Sequence, residues 1–248
     1  MLGNRFAVGA IQTVFETIYP PQCLSCSEIV SQAGGLCPNC WGETHFISGL
    51  VCDKCGCPLA GESSGEAEHC DDCLKIARPW DHGRAALVYK GAGRKMVLGL
   101  KHADRTEIAK PAGIWLAGAS KTLVTPTTIA VPIPLYSGRY LRRRYNQSAL
   151  IAYALAKALQ IDVIPDLLKR TKKTQPLDGL DRAQRFEVLD SAITATHRFR
   201  TKIHGADILL VDDVMTSGAT FAAATEACFA AGAKSVCIVA LARVMKDA

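Results

Sequence analysis

The chain has 248 residues, of which 49% are hydrophobic and 21% charged, with a formal net charge of +6. This length suits one large domain or a medium domain with a small one, and the apolar fraction excludes a disordered chain. No apolar stretch is long enough to span a bilayer. Because Arg5 and Glu16 interrupt the apolar residues of segment 1–20, we predict an amphipathic N-terminal helix there and a cytoplasmic protein.

The cysteines are concentrated near the amino terminus, where eight of them form four Cys-x-x-Cys pairs. Thiolates at this spacing form the tetrahedral sulfur site that zinc prefers, and without an export signal they indicate metal rather than disulfides. We predict two structural Zn²⁺ ions in a tandem repeat, held by Cys23, Cys26, Cys37, Cys40, Cys52, Cys55, Cys70 and Cys73. An iron–sulfur cluster and an interleaved pairing of the motifs are alternatives, and Cys57 and His69 are substitute ligands.

The predicted metal sites change how the charge is interpreted. Each tetrathiolate zinc site carries a net charge of about −2, which lowers the total for the folded protein to about +2. The overall charge therefore gives no argument for nucleic-acid binding, and only local clusters of charge count.

Strands and helices alternate from Trp80 onward. Strands are predicted at 84–89, 128–134, 208–211 and 235–242, with a short edge strand starting at 163, and helices at 94–100, 108–123, 148–159 and 219–230. This alternation indicates a mostly parallel sheet with right-handed crossovers. The predicted fold class is α/β: residues 1–79 form the N-terminal helix and a double zinc ribbon of β-hairpins, and residues 80–248 form a twisted sheet flanked by helices.

The run from Ile208 to Thr220 carries the strongest functional motif. Four aliphatic residues predict a buried strand that stops at Asp212 and Asp213, before a hydroxyl-rich loop and an Ala-rich helix. Ligands bind at the carboxyl ends of strands in open α/β sheets, and a small-residue loop opening a helix presents N–H groups to phosphate. Paired carboxylates suit vicinal hydroxyls, so the motif predicts a ribose-5-phosphate site. The alternative is that Asp213 only caps the helix.

This segment resembles the phosphoribosyl pyrophosphate (PRPP) signature of type I phosphoribosyltransferases, in which two acids precede a Thr/Ser-Thr/Ser-Gly-x-Thr loop. The resemblance implies that Asp212 and Asp213 hold the ribose hydroxyls, and that Mg²⁺ accompanies PRPP. Asp213 is also a candidate to steady the cationic sugar or accept a proton. The segment implied to wrap the 5′-phosphate comprises Val214, Met215, Thr216, Ser217, Gly218, Ala219 and Thr220.

A second strand end, Val131-Pro132-Ile133-Pro134, precedes a strongly cationic loop. Planar guanidinium groups bind phosphate oxygens in pairs, so we predict that this loop holds pyrophosphate. Lys101 is predicted to approach the same anion. The cationic residues assigned to pyrophosphate are Lys101, Arg139, Arg142 and Arg143, with Arg143 counted among the catalytic residues beside the two acids. Further basic residues at 169–175 and 182–185 predict a hood or a contact for single-stranded DNA, and a solvated surface is the alternative for each basic run.

The order of the motifs along the chain resembles that of the ComF family. The Cys-x-x-Cys pairs are followed by Tyr89-Lys90-Gly91, Leu100-Lys101, Val-Pro-x-Pro, Arg143-Arg144-Tyr145-Asn146-Gln147 and the PRPP signature. The family joins a double zinc ribbon to a type I phosphoribosyltransferase-like domain and serves DNA uptake in natural transformation. The resemblance implies a cytoplasmic protein that binds PRPP and handles incoming single-stranded DNA, with a competence helicase-like protein as a further partner.

Two functions remain open on the sequence. In the first, the protein transfers ribose-5-phosphate from PRPP to an unknown acceptor and releases pyrophosphate. In the second, it senses PRPP without catalysis and grips single-stranded DNA, with Trp41, Phe46 and Trp80 available to stack on bases. A third role, in which the ribbons only cap the α/β domain, is also open.

Overall fold

The computed structural model describes residues 19–63, 65–135, 145–171 and 192–245. The predicted N-terminal helix, the arginines at 139, 142 and 143 and most of the predicted basic hood lie outside these ranges.

Two small units of the same design begin the described chain. In each unit an isolated antiparallel bridge spans one Cys-x-x-Cys pair, between Gln22 and Ile29 in the first and between Val51 and Pro58 in the second. A short helix then starts at the residue after a third cysteine: α1 is Pro38–Gly42 and α2 is Asp71–Lys75. These units, called ribbon one and ribbon two, form the predicted tandem repeat.

The rest of the described chain builds an α/β domain. Its strands are β1 (Gly83–Val88), β2 (Thr128–Pro132), β3 (Asp162–Val163), β4 (Leu168–Arg170), β5 (Ile193–Ala195), β6 (Asp207–Met215) and β7 (Ser235–Arg243). Its helices are α3 (Gly91–His102), α4 (Ala109–Ser120), α5 (Gln147–Leu159), α6 (Arg200–Ile203) and α7 (Ala219–Ala230), and short 3₁₀ turns cover Thr106–Ile108, Lys121–Leu123 and His197–Phe199.

The main sheet has the order β1-β7-β6-β2-β3, and all its neighbouring strands are parallel. Parallel strands place their carboxyl ends at one edge, so β2 ends beside Val211 of β6, one residue before Asp212. The predicted fold class, a zinc-ribbon unit followed by a mostly parallel sheet with flanking helices, is confirmed.

One local prediction was wrong. The strand predicted to stop before Asp212 continues to Met215, because β7 pairs alongside it and matches Asp212 with Ala240 and Met215 with Arg243. The basic stretch that begins at Lys169 was predicted to form a hood or a contact for single-stranded DNA. Its first residues, Lys169 and Arg170, belong to β4, which pairs antiparallel with β5.

The core lies on both faces of the sheet. Along β6, Leu209 and Val211 belong to the apolar cluster that also contains buried residues of α3, α4 and α5. Ile208 and Leu210 belong to the opposite cluster, with residues of α7 and of ribbon two. A strand buried on both faces explains the run of aliphatic residues without polar alternation.

Both ribbons are fixed to the α/β domain. Ribbon one adds Phe46 beside Leu87 of β1, and the N–H of Ile47 donates to the carbonyl of Ala86 at 2.9 Å. Ribbon two joins through the N–H of Gly83, which donates to the carbonyl of Asp53 at 2.8 Å. None of the helices in the described ranges has the length and apolar character needed to cross a membrane.

Candidate metal centres and ligand site

The eight predicted metal ligands form two separate tetrads. In each, the four sulfur atoms lie within 4.8 Å of one another: one consists of Cys23, Cys26, Cys37 and Cys40, the other of Cys52, Cys55, Cys70 and Cys73. A tetrahedral zinc site with Zn–S bonds of about 2.3 Å needs sulfurs about 3.8 Å apart. The Sγ–Sγ distances of 3.7 Å for Cys26–Cys37 and 3.6 Å for Cys55–Cys70 fit this requirement.

The grouping resolves the alternatives for the ligands. Each ribbon uses its own two Cys-x-x-Cys pairs, so the interleaved pairing is wrong. Cys57 is not a member of the second tetrad, and its Sγ contacts Sδ of Met245 at 3.5 Å.

The backbone around Cys23 favours a thiolate. Its buried Sγ accepts the N–H of Cys37 at 3.3 Å and the N–H of Ser25 at 3.5 Å. Burial opposes the charge of the Cys23 thiolate, but hydrogen bonds from the backbone of Cys26, Cys37 and Ser25 lower its pKa to about 6. A zinc ligand must be deprotonated, so these hydrogen bonds favour the ligand form of Cys23.

We expect the purified protein to carry two zinc ions, and Cys40→Ser to carry one. The reason is that a tetrad with three thiolates binds Zn²⁺ much more weakly. Elemental analysis by mass spectrometry measures the ratio, and Cys57→Ser, a cysteine outside both tetrads, should keep both ions. Iron in place of zinc, with visible charge-transfer absorption, would instead establish the iron–sulfur alternative.

The two acids of the predicted ligand site lie near the carboxyl end of β6. Asp212 Oδ1 accepts the Ser148 hydroxyl at 2.7 Å and the N–H of Asp213 at 2.9 Å. Asp213 is 7% exposed, and its Oδ1 lies 3.1 Å from Nζ of Lys101. Gly218 is the N-cap residue of α7, without a side-chain cap, so the alternative that Asp213 caps the helix is wrong.

This cluster has unusual electrostatics. Burial, and then repulsion from Asp213, raise the pKa of Asp212 to about 7, although Ser148 and Lys101 favour its charged form. Burial works against the charge of Lys101, but Asp213 and Asp212 together raise its pKa. Two acids and one cation leave an excess negative charge when all are ionised, which favours cations and hydroxyl donors nearby. Each acid already has a partner in the protein, Ser148 for Asp212 and Lys101 for Asp213. A ligand would have to share the acids with these partners or displace the partners.

The loop between β6 and α7 makes its turn at Gly218. Gly218 has a φ of +85°, and α7 begins at the next residue and has 12 residues. Thr216 is exposed, while the side chain of Met215 is buried at 2% exposure. A Cβ atom on Gly218 would lie 2.9 Å from Cε of Met215 and 2.9 Å from the ring of Trp80. The buried side chain of Met215 therefore packs against the inner side of the turn at Gly218.

Two buried arginines that the sequence analysis missed hold the carbonyl groups of this loop. Nη1 of Arg78 donates to the carbonyl of Ser217 at 2.7 Å. Nη1 of Arg243 donates to the carbonyls of Thr216 at 2.8 Å and Met215 at 3.2 Å. No local sequence signal marks either arginine, because both act on residues distant in the chain.

The described part of the Arg-x-Tyr-Asn-Gln motif positions the acids' partners. The side chain of Asn146 donates to the carbonyl of Ile133 at 3.0 Å and accepts the N–H of Ser148 at 3.0 Å, which caps α5. The hydroxyl of Tyr145 donates to the carbonyl of Leu100 at 2.9 Å. Through these hydrogen bonds the motif links the end of β2 to the start of α5, next to Ser148, and to the residue before Lys101. The sequence did not predict that this motif lies near Asp212.

Of the aromatic residues predicted to stack on bases, Trp80 is excluded by its position. It is 1% exposed and packs on Phe221 with ring centroids 6.2 Å apart. Trp41 is 60% exposed, and its ring centroid lies 5.0 Å from that of Phe46, whose ring in turn meets Trp115 edge-on at 5.3 Å. Trp41 is therefore the accessible member of the predicted set.

Comparison with known proteins agrees with the two zinc ribbons at the start of the chain. A family model for the double zinc ribbon domain matches residues 14–74. Together with the parallel sheet, the match defines the class: a double-zinc-ribbon protein that carries an α/β domain. Competence protein F of Haemophilus influenzae is 30% identical over 200 residues, which cover 74% of this chain and 86% of that protein. The chain therefore belongs to the ComF family.

Further relatives cover more of the chain. DNA utilization protein YhgH of Salmonella typhimurium is 28% identical over 229 residues, covering 90% of each protein. YhgH of Escherichia coli is 28% identical over 217 residues, covering 85% of this chain and 91% of that protein.

Two solved structures show a limited likeness. TT1426 from Thermus thermophilus superposes with a TM-score of 0.34 and 18% identity, over 56% of this chain and 85% of that chain. A hypoxanthine phosphoribosyltransferase from Staphylococcus aureus gives a TM-score of 0.32 and 17% identity, over 58% and 68%. Scores of this size do not by themselves define a fold.

Proposed function

We propose that this protein binds PRPP with Mg²⁺ at the carboxyl end of β6 and acts in the use of incoming DNA. The observation that carries the ligand assignment is the placement of Asp212 and Asp213 beside Lys101, at a strand end whose loop opens α7. The role in DNA use rests on the relatives, which are named for competence and DNA utilization. A cytoplasmic location belongs to the same proposal.

Each part of PRPP has a complementary group. The N–H groups at the start of α7 and the positive end of its helix dipole suit the 5′-phosphate. Carboxylate oxygens of Asp212 and Asp213 suit the ribose hydroxyls, which donate hydrogen bonds. Lys101 already lies within 3.1 Å of Asp213, where it suits the pyrophosphate. Mg²⁺, a hard cation that prefers oxygen ligands, would be held mainly by the oxygens of PRPP beside the two acids.

The favoured reaction is transfer of ribose-5-phosphate to an acceptor, with release of pyrophosphate. Binding would hold the ribose in place and neutralise the leaving group, which supply much of the rate in such transfers. The pKa of Asp212, raised to about 7 by burial and by Asp213, suits a group that accepts a proton from the acceptor near neutral pH. Arg139, Arg142 and Arg143, outside the described residues, are proposed to approach the pyrophosphate.

A second candidate is PRPP sensing by a module that binds single-stranded DNA. The exposed Trp41, whose ring is tilted against that of Phe46 on ribbon one, favours it because bases stack on accessible aromatic rings. A competence helicase-like protein would then receive the DNA. Pyrophosphate release during incubation with PRPP and nucleobase or nucleic-acid acceptors supports the transferase, and PRPP binding without release supports the sensor.

Calorimetric titration of the zinc-loaded protein with PRPP and Mg²⁺ tests the proposal. We expect binding to the wild type and a loss of about 30-fold or more in affinity for Asp213→Asn, since charge-assisted hydrogen bonds contribute about 1.5–3 kcal/mol each. Asp104→Asn makes the same chemical change at an exposed residue outside the site, and should bind like the wild type. Failure of the wild type to bind PRPP would refute the proposed ligand.

A further inference from the structure

Arg78 connects the second metal centre with the loop between β6 and α7. It lies in the segment between α2 and β1 and is 9% exposed. Its Nε donates to Sγ of Cys73 at 3.4 Å, and its Nη1 donates to the carbonyl of Ser217 at 2.7 Å. One buried side chain therefore contacts both a metal ligand and the loop residue before Gly218.

The buried guanidinium of Arg78 needs an opposite charge nearby. A buried guanidinium is costly unless an opposite charge lies close by. Among the described residues, no carboxylate lies within ion-pair distance of Arg78, and its Nη2 is buried without a hydrogen-bond partner. A zinc-bound tetrathiolate, with a net charge of about −2, supplies the missing counter-charge through Cys73.

The loop is built directly against this arginine. A Cβ atom on Gly218 would lie 3.0 Å from Nη1 of Arg78. The guanidinium also lies 5.4 Å from the ring centroid of Trp80, which bounds the same space. A shift of the Arg78 side chain would therefore change both the carbonyl contact of Ser217 and the packing under the turn.

We infer that Arg78 is a positioning residue that couples the second zinc centre to the loop at 216–218, so that metal in ribbon two fixes the shape of that loop. The consequence for PRPP binding rests on the proposed function, whereas the consequence for the shape of the loop does not. Coupling between two sites is reciprocal in binding free energy, so a ligand held by the loop should also raise the zinc affinity of ribbon two.

Arg105 offers a matched control. It is also largely covered, and it donates to the carbonyls of Cys23 at 3.0 Å and Ser25 at 3.5 Å. It therefore contacts ribbon one through backbone carbonyls, and its Nε pairs with Oε1 of Glu107 at 2.8 Å; none of these residues belongs to the loop. Arg105→Met removes a comparable arginine without touching the second zinc centre.

The test is hydrogen exchange, followed by mass spectrometry, on full-length zinc-loaded wild type, Arg78→Met and Arg105→Met. For Arg78→Met we expect exchange at 215–220 to be about tenfold faster, since a hydrogen bond from a charged donor is lost. Arg105→Met should speed exchange in ribbon one and leave 215–220 unchanged. Arg78→Lys, which keeps the charge but cannot reach both acceptors as a fork, should give an intermediate rate at 215–220.

Two results would overturn the inference: unchanged exchange at 215–220 in Arg78→Met that retains both zinc ions, or equal loosening of the loop in Arg105→Met. If Arg78→Met does not fold, the inference is judged by comparing exchange at 215–220 in Arg78→Lys and in the wild type. In the wild type, PRPP with Mg²⁺ should raise the concentration of a chromogenic chelator that removes half of one of the two zinc ions at equilibrium, and an unchanged concentration despite PRPP binding counts against coupling. If the wild type does not bind PRPP, the proposed function fails, while the exchange comparison still judges the role of Arg78.

Discussion

Asp212→Asn is expected to abolish PRPP binding while making the protein without PRPP more stable at pH 8. The substitution removes a hydroxyl acceptor and a charge that we assign to the ligand site. It also removes the electrostatic cost of a buried carboxylate next to Asp213. Function and stability would therefore change in opposite directions at one residue, as occurs where a site maintains an unfavourable group.

The pH dependence gives the sign of the stability effect. The pKa of Asp212 is raised from 3.8 to about 7 by burial and by Asp213. An acid whose pKa is higher in the folded protein contributes stability that is complete below its unfolded value and is lost as pH rises through its folded value. The gain from Asp212→Asn should therefore be small at pH 4 and reach about 1–3 kcal/mol at pH 8.

Denaturant unfolding at the two pH values measures this gain. Asp162→Asn, an exposed acid in β3, should change the free energy of unfolding little at either pH. The affinity of the wild type for PRPP with Mg²⁺ should rise about tenfold between pH 6 and pH 8, as Asp212 ionises. A flat affinity profile together with a stability gain that is independent of pH would contradict the assignment.

Gly218→Val is expected to disable the loop. Gly218 has a φ of +85°, and any Cβ atom there would lie within 3.0 Å of Met215, Trp80 and Arg78. The backbone conformation alone costs a side chain about 1–2 kcal/mol, and a β-branched residue adds collisions with buried groups. We expect at least a tenfold loss of PRPP affinity and a loss of about 2–4 kcal/mol in stability.

Titration calorimetry and denaturant unfolding of the same preparation separate these two effects. Gly118→Ala is the control, because Gly118 lies in α4 with open space where its Cβ would go. Alanine there should stabilise the protein by about 0.5–1 kcal/mol and leave PRPP binding unchanged. If Gly218→Val bound PRPP like the wild type, the loop would not be the phosphate site.

The features that the sequence predicted well are local in the chain. The metal tetrads follow from Cys-x-x-Cys pairs within each ribbon, and the bounds of α7 were predicted at 219–230, as observed. The alternation of strands and helices gave the parallel sheet. In each case neighbouring residues carry the whole signal, so spacing and composition are sufficient.

The features that were missed depend on distant parts of the chain. β6 extends through both acids because β7 pairs beside it. Ser148 meets Asp212, and Arg78 meets Ser217, only after the sheet has assembled. Neither contact leaves a periodic or compositional trace in the sequence, whereas Lys101 was assigned to the site as a cation at the end of a predicted helix. Contacts between residues that are distant in the chain are therefore seen only in the folded structure.

The order of strands also constrains how the protein is made. The edge strand β1 has β7 as its neighbour in the sheet, and Gly83 pairs with Ile238. During synthesis the ribbons can close around their metals early, since each uses cysteines from one short stretch. The sheet, in contrast, cannot be completed until the last strand has left the ribosome, so β1 must wait with an exposed edge. Loss of the C-terminal strand should therefore produce an aggregating chain whose ribbons still hold zinc.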